Sequence, residues 1–280
     1  MIVFDGVTYT YCTAAATGSQ LALENVNLRL LDGEFIGIIG CTGSGKSTLV
    51  QHMNGLLEPT RGRVLLDGVP VRLGAQRFAV GLVFQYPEVQ IFEQTVAAEI
   101  SFGPKNMGLS NEIIARRVEE ALAFVDLDAE LADRSPFDLS GGQQRRLAIA
   151  SILAMEPRVL VLDEPTAGLD PVSREEILRG ISEYRLQKKA TVVFVSHSME
   201  EIAEYSDRVI VLDRGRVALD GAVSRVFAQL EDELLAGLDV PQVSSVFNAL
   251  RKLGYTLQNV YTLNQAVTEI LRLKATLRRR

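Results

Sequence analysis

At 280 residues with a net charge of -6, the chain has room for one large or two modest domains, and its acidic balance argues against a general nucleic-acid binder. Hydrophobic residues make up 47% and charged ones 23%, as in an ordinary globular protein. No apolar run reaches the roughly 18 residues that span a bilayer, the N-terminus lacks the basic start of a secretion signal, and Cys12 and Cys41 form neither a disulfide framework nor a zinc spacing. The expectation is a soluble, cytosolic protein with two plain thiols.

Val3, Val7, Tyr9 and Tyr11 fall at odd positions, the alternation of a strand with one buried face. Ala14-Ala15-Ala16-Thr17-Gly18-Ser19 reads as a loop, and residues 21–30 alternate again through Leu23, Val26, Leu28 and Leu30. Asp32-Gly33 then turns the chain into the apolar run Phe35-Ile36-Gly37-Ile38-Ile39. This run leads into Gly40-Cys41-Thr42-Gly43-Ser44-Gly45-Lys46-Ser47-Thr48 and a helical pattern starting at Leu49-Val50. The G-x-x-x-x-G-K-[ST] spacing between strand and helix is that of a phosphate loop. Its glycines let backbone N–H groups converge on an anion, and the helix adds the positive end of its dipole. Lys46 is expected to reach the β- and γ-phosphates and the Ser47 hydroxyl to ligate Mg²⁺. The loop points to a nucleoside triphosphate. His52, inside the helix, reads as structural or partly exposed.

Farther on, Pro59-Thr60-Arg61-Gly62 and Asp67-Gly68 bracket the strand Val64-Leu65-Leu66, and Val80-Gly81-Leu82-Val83-Phe84 is a buried strand ending at Gln85. Residues 86–155 turn helical. Over 111–125, Ile113, Ile114, Val118, Ala121, Leu122 and Val125 share one helical face, opposite Arg116, Arg117, Glu119 and Glu120. Val159-Leu160-Val161-Leu162 is the unbroken apolar run of a central parallel strand. Asp170-Pro171 caps a helix continuing to about residue 189. Residues 191–195 form another buried strand, and Val209-Ile210-Val211-Leu212 opens a hairpin through Asp213-Arg214-Gly215. These elements predict an α/β fold with a mostly parallel core sheet and antiparallel N-terminal strands. Past Phe227 only helical patterns remain: a stripe of Val243, Val246, Phe247, Leu250 and Leu253, then a capping box at Thr262-Leu263-Asn264-Gln265. That box opens a helix with Val267, Ile270, Leu271 and Leu277 inside. This appendage is either a helical cap or a dimerisation element. The terminal Arg278-Arg279-Arg280 reads as a solvated tail, with attraction to anionic lipid as the alternative.

Four further features carry chemistry. Asp163-Glu164 end an apolar strand, where parallel strands present a ligand crevice; Asp163 suits Mg²⁺ and Glu164 an attacking water. Ser140 and Gln143 fit a capping box that sets Gly141 and Gly142 in the first turn of a helix, with bare N–H groups for an incoming anion. Gln85 stands where strand meets helical insert, able to contact Mg²⁺ or the water. His197, after a core strand, can hydrogen-bond a γ-phosphate.

In this order the phosphate loop, Gln85, Leu139-Ser140-Gly141-Gly142-Gln143, Asp163-Glu164, Ala167-Gly168-Leu169-Asp170 and His197 resemble the ATP-binding cassette ATPases over about residues 1–225. The resemblance implies a P-loop NTPase cassette at 1–227 with a helical subdomain at about 86–155, and a C-terminal helical extension at 228–280. It implies ATP and Mg²⁺ as cofactors and a head-to-tail dimer, in which Ser140, Gly141, Gly142 and Gln143 reach the ATP held by the other chain. Tyr11 would stack on adenine, Glu164 act as catalytic base and His197 as γ-phosphate switch, while Asp170 would couple the two sites. Cys41 departs from the histidine or other polar residue common there, without consequence for a loop that binds through backbone.

The run Phe84-Gln85-Tyr86-Pro87-Glu88-Val89-Gln90-Ile91-Phe92-Glu93, with Phe102-Gly103-Pro104-Lys105-Asn106-Met107-Gly108-Leu109, Arg134-Ser135-Pro136-Phe137-Asp138 and Ala154-Met155-Glu156-Pro157, is more narrowly similar to the ATPases of energy-coupling factor transporters. These drive uptake of vitamins or transition metals. The similarity implies a homo- or heterodimeric ATPase, peripheral on the cytoplasmic face of the membrane. Its partners would be a transmembrane coupling protein and a substrate-binding membrane subunit. Docking would use Pro87, Glu88, Gln90, Ile91, Phe92 and Glu93, with Ile91 and Phe92 as apolar anchors, and involve no nucleic acid. The alternative is a cassette ATPase acting on nucleic acid or ribosomes, which usually has a long coiled coil or two cassettes in one chain; neither occurs here.

Overall fold

A computed structural model of the chain describes residues 1–12, 19–72, 78–232 and 238–277. The loop at residues 14–18, the Cys12 and Leu277 side chains, and the arginine tail lie outside the described residues. The first sheet is antiparallel: β1 (Ile2–Cys12) lies between β2 (Ser19–Leu30) and β4 (Arg61–Leu66), with β5 (Val69–Pro70) outside β4. The second sheet contains β3 (Phe35–Ile39), β6 (Val80–Val83), β7 (Val159–Asp163), β8 (Thr191–Val195), β9 (Arg208–Asp213) and β10 (Arg216–Ala222). Its order is β10-β9-β3-β8-β7-β6, parallel except for the β9–β10 hairpin.

The apolar runs follow from covering this sheet on both sides. Ile36, Ile38, Val161, Val193 and Val195 face the first sheet and the helix α1 (Lys46–Met53). Phe35, Ile39, Leu160, Leu162, Val192 and Phe194 face the helical side. There α5 (Pro171–Lys188) and α6 (Met199–Tyr205) pack together with the helical insert. The insert contains α2 (Val96–Asn106), α3 (Asn111–Phe124) and α4 (Gly141–Leu153).

Three expectations need correction. In β1 the buried side chains are Ile2, Phe4 and Val7, not an odd-numbered series. The pairing with β2 shifts register between Phe4 and Val7, a bulge that changes which residues point inward. In α3, Arg117 is not on a solvated face: it donates to the Ala154 and Met155 carbonyls at 3.2 and 3.3 Å and pairs with Glu156 at 2.7 Å. In α9 (Leu263–Leu277), the capping box is present, but Val267, Ile270 and Leu271 are 57%, 48% and 60% exposed. That helix buries Ala266 instead, against Phe247 of α8 (Gln242–Lys252), Leu257 and Val260. The helix α7 (Val223–Asp232) crosses residues 227–228 and inserts Val226, Phe227 and Leu230 into the main core, where Tyr261 stacks on Phe227.

Tyr184 of α5 is fully buried, edge-to-face with Phe124, and its hydroxyl donates to the Pro157 carbonyl at 3.2 Å. Burial pushes its pKa up. Tyr184→Phe keeps the ring and orphans the carbonyl, so stability should fall by about 1 kcal/mol. The urea unfolding midpoint measures this, and an unchanged midpoint would leave the hydroxyl without a role.

Candidate nucleotide site

The phosphate loop joins β3 to α1. Gly45 caps α1 in the left-handed region (φ 104), and a Cβ there would lie 2.6 Å from the Ala22 carbonyl, so only glycine fits. Lys46 is buried, its Nζ donating to the carbonyls of Gly40 at 2.7 Å and Cys41 at 3.1 Å. Burial lowers its pKa, opposed by the carboxylates of Glu164 and Asp163. The Ser44 hydroxyl is buried in the loop with no hydrogen-bond partner among the described residues. An orphaned, buried hydroxyl in a glycine-rich loop at a helix N-terminus suits a phosphate oxygen, and this is the observation that fits a nucleotide to the loop. Thr42 and Gly43 at the loop tip are exposed, and Cys41 is half-buried. Tyr11 stands at the loop's edge, its hydroxyl 3.1 Å from the Thr48 hydroxyl and its ring exposed. His52 is fully buried, with Nδ1 2.7 Å from the Thr48 carbonyl oxygen, and is structural.

Beside the loop, β7 delivers Asp163 and Glu164. Asp163 is buried and hydrogen-bonded to Ser47; burial pushes its pKa up, and Ser47, Lys46 and His197 oppose that rise. Glu164 adopts a left-handed backbone (φ 53), a conformation costing about 1 kcal/mol in a residue with a Cβ. Its N–H donates to the Val195 carbonyl at 3.0 Å, which holds the turn. Its two carboxylate oxygens are divided: Oε2 accepts from Gln85 Nε2 at 3.1 Å, and Oε1 lies 2.9 Å from His197 Nε2. Three residues predicted from separate stretches of chain therefore meet at one carboxylate.

Ser140 and Gln143 form the expected capping box at α4, with N–H···O distances of 3.0 and 3.3 Å. A Cβ on Gly141 would meet nothing within 4 Å, so the space over this turn is open. The turn contributes none of the hydrogen bonds just described around the phosphate loop. Asp170 caps α5, accepting from the N–H groups of Val172 and Ser173 at 3.0 Å, and those bonds hold its pKa low.

The segment after Gln85 needs its own correction. Ile91 is only 9% exposed and joins the core of the insert, so it cannot anchor a partner. Pro87 is buried, and Glu88 turns inward onto Arg145. Outward-facing instead are Val89 at 80% and Phe92 at 57%, with Gln90. Phe92 packs edge-to-face on Phe102 at 4.9 Å, beside an apolar groove of about 320 Å³ that Asn106, Ser151 and Met155 also line. Glu93 is half-buried, its N–H bonded to the buried Glu99 carboxylate at 2.9 Å.

Sequence reading missed two side chains. Glu201 accepts hydroxyl hydrogen bonds from Thr166 at 2.9 Å and Ser196 at 2.8 Å, tying the loop after Glu164 to the residue before His197. Locally, Ser198 and Glu201 look like another capping box, and Ser198 does cap α6, but the Glu201 carboxylate is used elsewhere. Arg145 reads locally as one of two consecutive helix arginines.

Comparison with known proteins identifies the family and the fold. The ABC transporter family model matches residues 23–167. Similar proteins include the energy-coupling factor transporter ATP-binding protein EcfA2 of Clostridium perfringens, 49% identical over 90% of this chain and 91% of that protein. The EcfA2 protein of Caldanaerobacter subterraneus subsp. tengcongensis is 50% identical over 97% of this chain and 96% of its own. Among solved structures, cbiO1 from Clostridium perfringens, described as part of the ABC transporter complex cbiONQ, is 36% identical with a TM-score of 0.73, covering 88% of this chain and 98% of that one. The dimeric post-hydrolysis state of the ATP-binding cassette MJ0796, bound to ADP and Pi, is 32% identical with a TM-score of 0.71 over 80% of this chain and 99% of that one. The likeness runs over nearly the full length of the chain and of these relatives, and the chain belongs to the ABC transporter family, among its energy-coupling factor ATP-binding proteins.

Proposed function

We propose that this ATPase is the motor of an energy-coupling factor importer, powering uptake of a vitamin or a transition-metal ion from the cytoplasmic face of the membrane. The observation that carries the reading is Glu164, with its carboxylate held between Gln85 and His197 next to Lys46, Ser47 and Asp163. Lys46 and the loop amides bind the phosphates of ATP. Glu164 takes a proton from a water as that water attacks the γ-phosphorus, and the bond to the β-phosphate oxygen breaks to leave ADP and phosphate. His197 steadies the γ-phosphate, and Tyr11 lies against the adenine. The hydroxyl and carboxylate of Ser47 and Asp163, with the amide oxygen of Gln85, are hard donors of the kind Mg²⁺ takes. No cluster of three or more His, Cys, Asp or Glu ligands occurs among the described residues, so the remaining ligands would be nucleotide oxygens and water. Bound there, Mg²⁺ would neutralise phosphate charge.

The open turn at Ser140, Gly141, Gly142 and Gln143 supports a head-to-tail dimer, homo- or heterodimeric, in which it caps ATP bound to the other chain while Asp170 couples the two sites. We take residues 1–227 as the cassette and 228–280 as a dimerisation extension. The outward apolar stripe of Leu263, Val267, Ile270 and Leu271 on α9 supports that role. No helix among the described residues is long and apolar enough to cross a membrane, which suits a peripheral subunit that docks on a transmembrane coupling protein. Phe92 at the apolar groove and the exposed Val89 three residues before it are the contact we assign to that partner, which in turn works with a substrate-binding membrane subunit.

Three measurements test this. Glu164→Gln should bind ATP with little change and lose hydrolysis by about 10²–10⁴-fold; near-normal turnover would remove Glu164 as the base. Val89→Asp with Phe92→Asp should abolish co-purification with a membrane protein from detergent-solubilised native membranes, and full retention would move the docking surface elsewhere. Asp163 has a raised pKa, so the native state holds its proton more tightly than the unfolded chain and stability falls as pH rises through that window. Asp163→Asn should therefore raise the unfolding temperature of the nucleotide-free protein near neutral pH by about 2 °C, a gain that shrinks on acidification.

A further inference from the structure

Arg145 lies on α4, one turn beyond Gly141-Gly142, and only 5% of it is exposed. Its guanidinium grips Glu88 with two hydrogen bonds, Nε to Oε2 at 3.1 Å and Nη2 to Oε1 at 2.8 Å. Nη1 donates to the Ala167 carbonyl, and the guanidinium carbon lies 5.6 Å from the centre of the Tyr86 ring. These partners belong to two other segments. Tyr86 and Glu88 directly follow Gln85 and lead into the exposed Val89 and Phe92, while Ala167 lies midway between Glu164 and Asp170. Tyr86 itself has a left-handed backbone (φ 57), so the chain leaves Gln85 through a turn that needs outside support.

We infer that Arg145 is a positioning residue for ATP hydrolysis, holding the Gln85 segment and the loop 164–170 in the one arrangement that keeps Gln85 on Glu164. The physical reason is the burial of the guanidinium. A fork of five donors out of water must be paired, and breaking one buried partner leaves an uncompensated charge. The helix opened by Ser140, the docking turn and the loop to Asp170 therefore move together or the clamp opens. Docking at Val89 and Phe92 and contacts at Gly141 reach Glu164 through the same side chain. Arg145 acts through Glu88, Tyr86 and Ala167, none of which belongs to the phosphate loop. The inference rests on Glu164 as the base, but not on the identity of the membrane partner or solute.

The test uses the purified full chain, with ATP turnover and the affinity for a fluorescent ATP analogue measured separately for Arg145→Met, Glu88→Gln, Gln85→Ala and the double variants. Arg145→Met and Glu88→Gln should each lower kcat by about ten-fold while nucleotide affinity stays within about two-fold. Arg145→Met combined with Glu88→Gln or with Gln85→Ala should fall no further than the worse single variant, because all act on one clamp. A purely structural role predicts something else: losses in kcat that track unfolding temperature and add between sites. Additive losses, or a folded Arg145→Met with normal kcat, would overturn the inference. If Arg145→Met does not fold, Glu88→Gln and its combination with Gln85→Ala decide the matter. Inactive Glu164→Gln with unaffected Glu88 and Arg145 variants would leave the base in place and sink the clamp alone.

Discussion

Parallel pairing across β3, β8 and β7 is the constraint on which the site depends. Ile38 is opposite Val195, and Val195 opposite Asp163, so three strands end at one level. Past those ends the chain must leave the sheet, and each exit brings chemistry: the phosphate loop after Ile39, Glu164 after Asp163, and His197 after Ser196. A one-residue slip of β7 would point Asp163 to the opposite face and separate it from Ser47. The fully apolar faces of the sheet set the register, since any slip would exchange two packed layers at once.

Around those ends the protein holds charge where water is scarce. Lys46 and Asp163 are both buried, and burial pushes the pKa of the lysine down and of the aspartate up. Each charge partly offsets the burial of the other. The Ser44 hydroxyl, unpartnered among the described residues, and the left-handed Glu164 belong to the same pattern: local stability is given up where a ligand is to be held. The large apolar layers on either side of the sheet support that loss.

Polar contacts as well as packing hold the loop that follows Glu164. Glu201 ties Thr166 to Ser196, and Arg145 ties Ala167 to Glu88 and Tyr86. Both bridges run through the loop between Glu164 and Asp170, which is therefore fixed from two directions. On the outer surface of the insert, Phe92 and Phe102 line an apolar groove next to the exposed Val89, close to the turn that Arg145 holds. A surface contact at that rim lies a few residues from the Gln85 amide.

By itself the sequence determined what a few neighbouring residues can decide. Gly45 had to be glycine for its backbone angle, Ser140 and Gln143 capped α4, Asp170 capped α5, and the unbroken run before Asp163 demanded a strand covered on both faces. It also contained the order of motifs from which the family and the nucleotide site are read. Only the tertiary structure decided which face each residue turns. Ile91 and Phe92 are adjacent and equally apolar, yet one is core and the other surface, because the insert packs against only one side of that segment. Val267 and Ile270 remain outside because Ala266 takes the shallow contact with Leu257 and Val260. Glu88 and Arg145 lie 57 residues apart and meet only when β6 and α4 have been packed together. Such pairings are set by distance in space, and no local periodicity records them.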